Sequence, residues 1–111
     1  MKSFMEHYNE GMYLLENKKF AKGLKHLDSA IQFPQSGGDL GELICRFEAY
    51  QLLIEYYYHY PDMDKARSYV NHLNAFIDEQ ANISDDNNFR ELSKEFLPDV
   101  LDIIQELSEP K

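Results

Sequence analysis

The chain of 111 residues is acidic, with a formal net charge of −9, and 43% of its residues are hydrophobic. This length predicts a single domain over residues 1–111, and the hydrophobic content argues against a disordered chain. The charge disfavours nucleic-acid binding, because carboxylates repel phosphate backbones; it favours basic partners, or else serves solubility.

The sequence also bears on the cellular compartment. A single cysteine, Cys45, has no partner for an intramolecular disulfide, which is typical of a reducing compartment. The first ten residues, MKSFMEHYNE, lack the apolar run of a signal peptide. No stretch approaches the ~18 apolar residues of a membrane-spanning helix. We therefore expect a cytoplasmic protein that does not enter a membrane.

Apolar residues recur every three to four positions through two helices at the start of the chain. Ser3, with Glu6 three residues later, predicts a capping box at the start of the first helix. The second helix is predicted over about residues 20–33, and the segment PQSGGD ends it. The stripes comprise Phe4, Tyr8, Met12 and Leu15 in the first helix and Phe20, Leu24, Leu27, Ala30 and Ile31 in the second.

Two further helices are predicted in the middle of the chain. A capping box at Asp39 and Glu42 begins a third helix over about residues 39–60, which Pro61 ends, and Asp62 caps the fourth. The apolar stripes are Leu43, Phe47, Tyr50, Leu53, Ile54 and Tyr57 in the third helix and Met63, Ala66, Val70, Leu73, Phe76 and Ile77 in the fourth.

A polar segment, QANISDDNN, is predicted as the loop before a last helical stretch, in which Pro98 introduces a kink or starts a new helix. Sustained two-residue alternation of apolar and polar residues is missing, and the connections are short. The pattern predicts an all-α fold of antiparallel helical hairpins.

The first two helices carry small and large residues at regular positions. Small residues stand at Gly11, Gly23 and Ala30, and large apolar ones at Leu14, Phe20 and Leu27. This arrangement resembles a tetratricopeptide repeat (TPR), in which small residues let the two helices of a hairpin approach closely. Pro34 lies within one residue of the closing proline of such a repeat. His7 and Glu10 depart from the pattern, since they replace an aromatic residue and a leucine.

A second hairpin matches the TPR pattern at fewer positions. Ile54 and Leu73 occupy sites for small residues, and Gly23 is separated from Ala66 by 43 residues instead of about 34. The extra residues fall in QSGGDLGEL. The resemblance, over residues 4–78, implies two hairpins whose open end is capped by the C-terminal helix.

The resemblance also implies that the first helix of each hairpin lines a concave groove. The predicted partner-binding residues are Met5, Tyr8, Met12 and Leu15 in the first helix and Glu48, Gln51, Glu55 and Tyr58 in the third. Adaptable apolar side chains beside carboxylates suit a basic or amphipathic segment of another protein. Alternatively, the C-terminal helix folds back over this face and buries it.

The remaining reactive side chains show no recognisable catalytic, cofactor or metal pattern. His7 and Glu10 are three residues apart, but two ligands on a helix surface do not make a metal site, and His26, His59 and His72 lack ligands in a recognisable pattern. SGGDLG follows a helix instead of a strand, which argues against a phosphate-binding loop. We therefore expect no enzymatic activity, no cofactor and no metal.

The sequence predicts a non-enzymatic adaptor or chaperone, and small acidic TPR proteins of this kind resemble bacterial secretion chaperones. Two alternatives stay open. One is an immunity-type inhibitor whose acidic surface covers a basic toxin or enzyme, and the other is a structural protein that self-associates through exposed aromatic residues.

The aromatic run LIEYYYHYPD cannot form one continuous surface, because successive residues on a helix turn by about 100°. Tyr57 continues the core stripe and Tyr58 faces the predicted groove. Tyr56 and Tyr60, four residues apart, are predicted to pair for a contact between hairpins or subunits.

Overall fold

The computed structural model describes residues 3–33, 40–60, 62–84, 95, 97 and 100–108, and over this part of the chain it is helical without strands. The predicted all-α class is therefore confirmed for the described residues. They form the helices α1 (Phe4–Glu16), α2 (Phe20–Ile31), α3 (Leu40–His59), α4 (Met63–Ser84) and α5 (Leu101–Ser108).

The chain divides into two compact units, Met1–Ala49 and Tyr50–Lys111, and the boundary falls inside α3. The first unit holds α1, α2 and the first half of α3. The second holds the remainder of α3 with α4 and α5. The assignment of residues 1–111 to one domain stays a prediction.

In the first unit, α1 and α2 form a hairpin whose backbones nearly touch at two glycines. A Cβ atom added at Gly11 would lie 3.0 Å from the carbonyl oxygen of Gly23, and one added at Gly23 would lie 2.9 Å from Cγ of Leu15. Only residues without a side chain allow so close an approach. The buried side chains of α2 are Leu24, Leu27, Ala30 and Ile31.

Side-chain and backbone caps fix the ends of α1. The hydroxyl of Ser3 accepts a hydrogen bond from the amide of Glu6 (3.3 Å), so the predicted N-cap is confirmed. At the other end, the amide of Lys19 donates to the carbonyl of Leu14 (2.8 Å) and that of Lys18 to Leu15 (3.0 Å). This pair of bonds is a Schellman motif, and Lys18 takes the left-handed conformation with φ 62°.

Arg46 on α3 is almost fully buried in the first unit, although arginine is normally exposed. Its guanidinium donates to the carbonyl of Ile31 at the end of α2 (3.2 Å) and lies 3.5 Å from the Glu42 carboxylate. It also lies 4.6 Å from the centroid of the Phe4 ring. One side chain therefore ties α3 to the N-terminus of α1 and the C-terminus of α2.

In the second unit, α4 is preceded by Asp62, whose carboxylate accepts a hydrogen bond from the backbone amide of Lys65 (3.2 Å). The predicted cap is thus confirmed. The helices α4 and α5 pack together, and the side-chain amide Nδ2 of Asn74 donates to the hydroxyl of Ser108 (2.8 Å). The most deeply buried side chains are Tyr50, Leu53, Ile54, Ala66, Val70, Leu73, Leu97 and Val100.

Three predicted details differ from the structure. The helix α4 continues through residues 80–84, which had been predicted as loop, because this stretch contains no glycine or proline to end it. The helix α2 ends at Ile31 instead of residue 33. Phe20 and Met63 are predicted in the core stripes but are 45% and 40% exposed, since each is the first residue of its helix, α2 and α4. The Asp39 cap and the Pro98 kink lie outside the described residues.

Candidate protein-binding surface

Tyr8 joins α1 to α3 within the first unit. Its side chain is buried, with 8% exposed, and its hydroxyl donates to Oε2 of Glu48 (2.8 Å). Burial, then the hydrogen bond and charge of Glu48 and the nearby Cys45, raise the pKa of the Tyr8 phenol far above its usual value. The phenol therefore stays a hydrogen-bond donor at physiological pH and holds the Glu48 carboxylate in place.

The other predicted residues of α1 differ in exposure. Met5 is 37% exposed and Met12 is half-buried, so both leave part of their surface accessible to solvent. Leu15 is also half-buried, and its side chain lies against Gly23 inside the hairpin. The solvent-facing apolar part of this face is therefore formed by the two methionines, with Tyr8 beneath as support.

The prediction missed one exposed apolar residue on α3. Ile44 is 39% exposed and precedes Glu48 by four residues, so the two share a helix face. Ile44 could have been predicted from the sequence, because it stands four residues, about one helical turn, before the predicted residue Glu48. Within the first unit, exposed apolar side chains therefore lie on both helices that the Tyr8–Glu48 hydrogen bond connects.

The predicted residues Gln51, Glu55 and Tyr58 belong to the second unit, where all three are half-buried. The hydroxyl of Tyr58 donates to the carboxylate of Glu106 on α5 (2.7 Å). This hydrogen bond raises the pKa of the Tyr58 phenol. The C-terminal helix α5 therefore contacts Tyr58 through Glu106. Such a contact is expected at Tyr58 if the C-terminal helix folds back over the predicted groove face.

A histidine pair connects the two helices of the first hairpin. Nδ1 of His7 lies 3.2 Å from Nδ1 of His26, and Nε2 of His26 lies 3.5 Å from the carboxylate of Glu10. The sequence had indicated no ligand partner for His26, because its neighbours come from the opposite helix. Among the described residues, no group of three or more His, Cys, Asp or Glu side chains is arranged to hold a metal ion.

No helix in the described part of the chain combines the length and apolar character needed to cross a membrane. No family model, no curated protein and no solved structure matches this sequence.

Proposed function

We propose that this chain is a non-enzymatic protein-binding module, an adaptor or chaperone built from TPR-like hairpins, that binds a basic or amphipathic segment of another protein. The close approach of α1 and α2 at Gly11 and Gly23 supports the TPR-like assignment of the first hairpin. The second hairpin and the capping role of the C-terminal helix are part of the same proposal.

The observation that carries the proposal is the Tyr8–Glu48 hydrogen bond, which joins α1 and α3 on one face of the first unit. Met5 and Ile44 expose apolar surface on these two helices, and Glu48 is also an exposed residue. Methionines adapt to irregular apolar partners, and a fixed carboxylate selects positive charge. An amphipathic helix with a basic edge presents the complementary surface.

The test is binding of a labelled amphipathic peptide with leucines on one face and lysines beside them, followed by fluorescence anisotropy. We expect Met5→Ser and Glu48→Gln each to weaken binding by roughly fivefold, because an interface contact contributes about 1 kcal/mol. Tyr8→Ala is not a suitable probe, since Tyr8 is buried and its loss would destabilise the unit.

Leu101→Ser is the matched control. Leu101 is 36% exposed, close to the 37% of Met5, but it lies on α5 in the second unit. Its substitution should leave peptide binding unchanged. Equal effects of Met5→Ser and Leu101→Ser, or none from Met5→Ser and Glu48→Gln, would contradict the proposed surface.

The charge of the second unit favours one alternative function. Residues 50–111 contain 13 carboxylates and 5 Lys or Arg side chains, a net charge of −8. An acidic inhibitor that covers a folded basic enzyme would use such a surface. Its binding would weaken steeply with salt and would not respond to Met5→Ser, whereas binding of an amphipathic segment depends on both residue types.

A further inference from the structure

Four tyrosines form a cluster where α3 ends and α4 begins. This tyrosine cluster consists of Tyr56, Tyr57, Tyr60 and Tyr69. The rings of Tyr56 and Tyr60 are stacked, with centroids 4.9 Å apart and planes at 29°, and Tyr57 meets Tyr56 edge-on at 5.2 Å. Tyr57 also stacks on Tyr69 at 5.8 Å. Tyr60 is the outermost ring, with 68% of its surface exposed.

The cluster already holds one cation of its own chain. Nζ of Lys65 lies 5.1 Å from the centroid of the Tyr57 ring, within the range of a cation–π interaction. The electron-rich face of a tyrosine attracts an ammonium or guanidinium group, and Arg stacks on such rings particularly well. A contact of the same kind is open to an external cation at the exposed ring of Tyr60.

Three carboxylates lie close to Tyr60 in the sequence. Residues 55–65 carry three carboxylates, Glu55, Asp62 and Asp64, and one cation, Lys65, which lies over the Tyr57 ring. Asp62 and Asp64 are exposed, and the backbone amide of Asp62 donates to the carbonyl of Tyr57 (3.0 Å), which ties the start of α4 to the end of α3. A cation that reaches Tyr60 is therefore attracted both by the ring and by the neighbouring negative charges.

We propose that Tyr60, together with Asp62 and Asp64, binds an arginine or lysine side chain in a basic segment of a partner protein. This inference rests on the proposed function to the extent that the partner is basic, but it uses a different surface. A second copy of the chain fits less well, because each copy carries a net charge of −9 and the copies repel each other.

The test uses a short labelled peptide in which arginines alternate with serines, and the same peptide with citrulline, a neutral isostere, in place of arginine. Fluorescence anisotropy should show binding of the arginine peptide and little binding of the citrulline peptide. Tyr60→Leu should weaken binding roughly two- to fivefold, the size of an exposed cation–π contact, while Tyr60→Phe should retain it. Asp62→Asn with Asp64→Asn should also weaken binding, and asparagine keeps the helix cap.

Tyr13→Leu is the matched control, because Tyr13 is 64% exposed but lies on α1 in the first unit. It should bind the arginine peptide as the wild type does. The inference is overturned if Tyr60→Leu binds like the wild type or if citrulline binds as well as arginine. It is also overturned if sedimentation shows a dimer that Tyr60→Leu dissociates, since a second copy then occupies the surface.

The two proposals can fail separately. If Met5→Ser and Glu48→Gln weaken the amphipathic peptide while Tyr60→Leu leaves the arginine peptide unaffected, the proposed function stands and this inference fails. If only Tyr60→Leu has an effect, the chain binds basic segments through the tyrosine cluster and the surface on α1 and α3 is not used.

Discussion

At Gly11 and Gly23 the fold depends on the absence of a side chain. Alanine is the better helix former by about 1 kcal/mol, so a glycine inside a helix carries a cost that packing must offset. Here the carbonyl oxygen of each glycine lies 3.0 Å from where a Cβ atom on the other would stand. The lost helix propensity is offset by the closer packing of α1 on α2.

This leads to a prediction for Gly23→Ala. The new methyl group would lie 2.9 Å from Cγ of Leu15 and 3.0 Å from the Gly11 carbonyl oxygen, and the backbone oxygen cannot move without displacing α1. Overpacking of this kind costs about 1–3 kcal/mol, which exceeds the gain in helix propensity. We expect the free energy of unfolding, measured with urea, to fall by roughly 1 kcal/mol.

Gly41→Ala serves as the comparison, because Gly41 is exposed at the start of α3. There the same substitution should stabilise the protein by about 0.4–1 kcal/mol through helix propensity and reduced freedom of the unfolded chain. If both variants are stabilised alike, α1 and α2 do not approach as closely as described.

Arg46 and Phe20 show what residue patterns alone could not predict. The periodicity placed Phe20 in the core and left Arg46 unassigned, yet Phe20 is half-exposed and Arg46 is buried. The burial of Arg46 depends on a carbonyl from α2 and a ring from α1, which are distant in sequence. Local spacing cannot specify such partners. The resemblance to TPR hairpins, and not spacing, placed Tyr8 and Glu48 on one face, and the two are joined by a hydrogen bond.

Among the helices, the end of α1 contains a residue poorly suited to its conformation. In the Schellman motif that closes α1, the left-handed position is usually glycine, but here it is Lys18 with φ 62°. For a residue with a Cβ atom this conformation costs roughly 1–2 kcal/mol. The connection between α1 and α2 can therefore be stabilised without changing a packed contact.

We predict that Lys18→Gly raises the free energy of unfolding by about 0.5–1 kcal/mol, since the relief of strain exceeds the greater freedom of glycine in the unfolded chain. Lys18→Val should lower stability, because a β-branched side chain is the least tolerant of positive φ. Urea unfolding followed by circular dichroism measures both. Lys19→Gly, at the following exposed position, should bring no comparable gain; a gain of equal size there would show that the effect is not due to strain at Lys18.

Helix starts were easier to predict than helix ends. Ser3 and Asp62 were recognised as N-caps because an oxygen-bearing side chain before an apolar stripe has a direct chemical role. The end of α4 differs from the prediction, because the polar residues 80–84 resemble a loop in composition. Polarity alone does not end a helix that lacks glycine and proline. The C-terminus of α1 carries its own capping motif, made by backbone hydrogen bonds.

For the whole molecule, the negative charge is unevenly distributed between the two units. The first unit has a net charge of −1 and the second −8. The sequence could not show which carboxylates accept hydrogen bonds from tyrosine hydroxyls, because the partners are distant in sequence. Tyr58 and Glu106 are 48 residues apart, and Tyr8 and Glu48 are 40 residues apart. Both units therefore join tyrosine hydroxyls to carboxylates, but the mutual repulsion of carboxylates is concentrated in the second.

This repulsion predicts that salt stabilises the protein. Raising the ionic strength from about 0.01 M to about 1 M shortens the Debye length from ~30 Å to ~3 Å and screens repulsion between exposed carboxylates. Salt also weakens exposed ion pairs, but such pairs contribute at most about 1 kcal/mol, and the buried Arg46–Glu42 pair is screened less. We expect the free energy of unfolding in urea to rise by an amount on the order of 1 kcal/mol.

The location of the effect can be checked by neutralising two exposed carboxylates in each unit. Glu79→Gln with Asp102→Asn changes the second unit from −8 to −6 and should raise stability at low salt and reduce the gain from added salt. Glu6→Gln with Glu16→Gln, in the nearly neutral first unit, should leave the gain almost unchanged. A loss of stability with salt, or equal effects of the two double variants, would mean that paired charges outweigh the repulsion concentrated in the second unit.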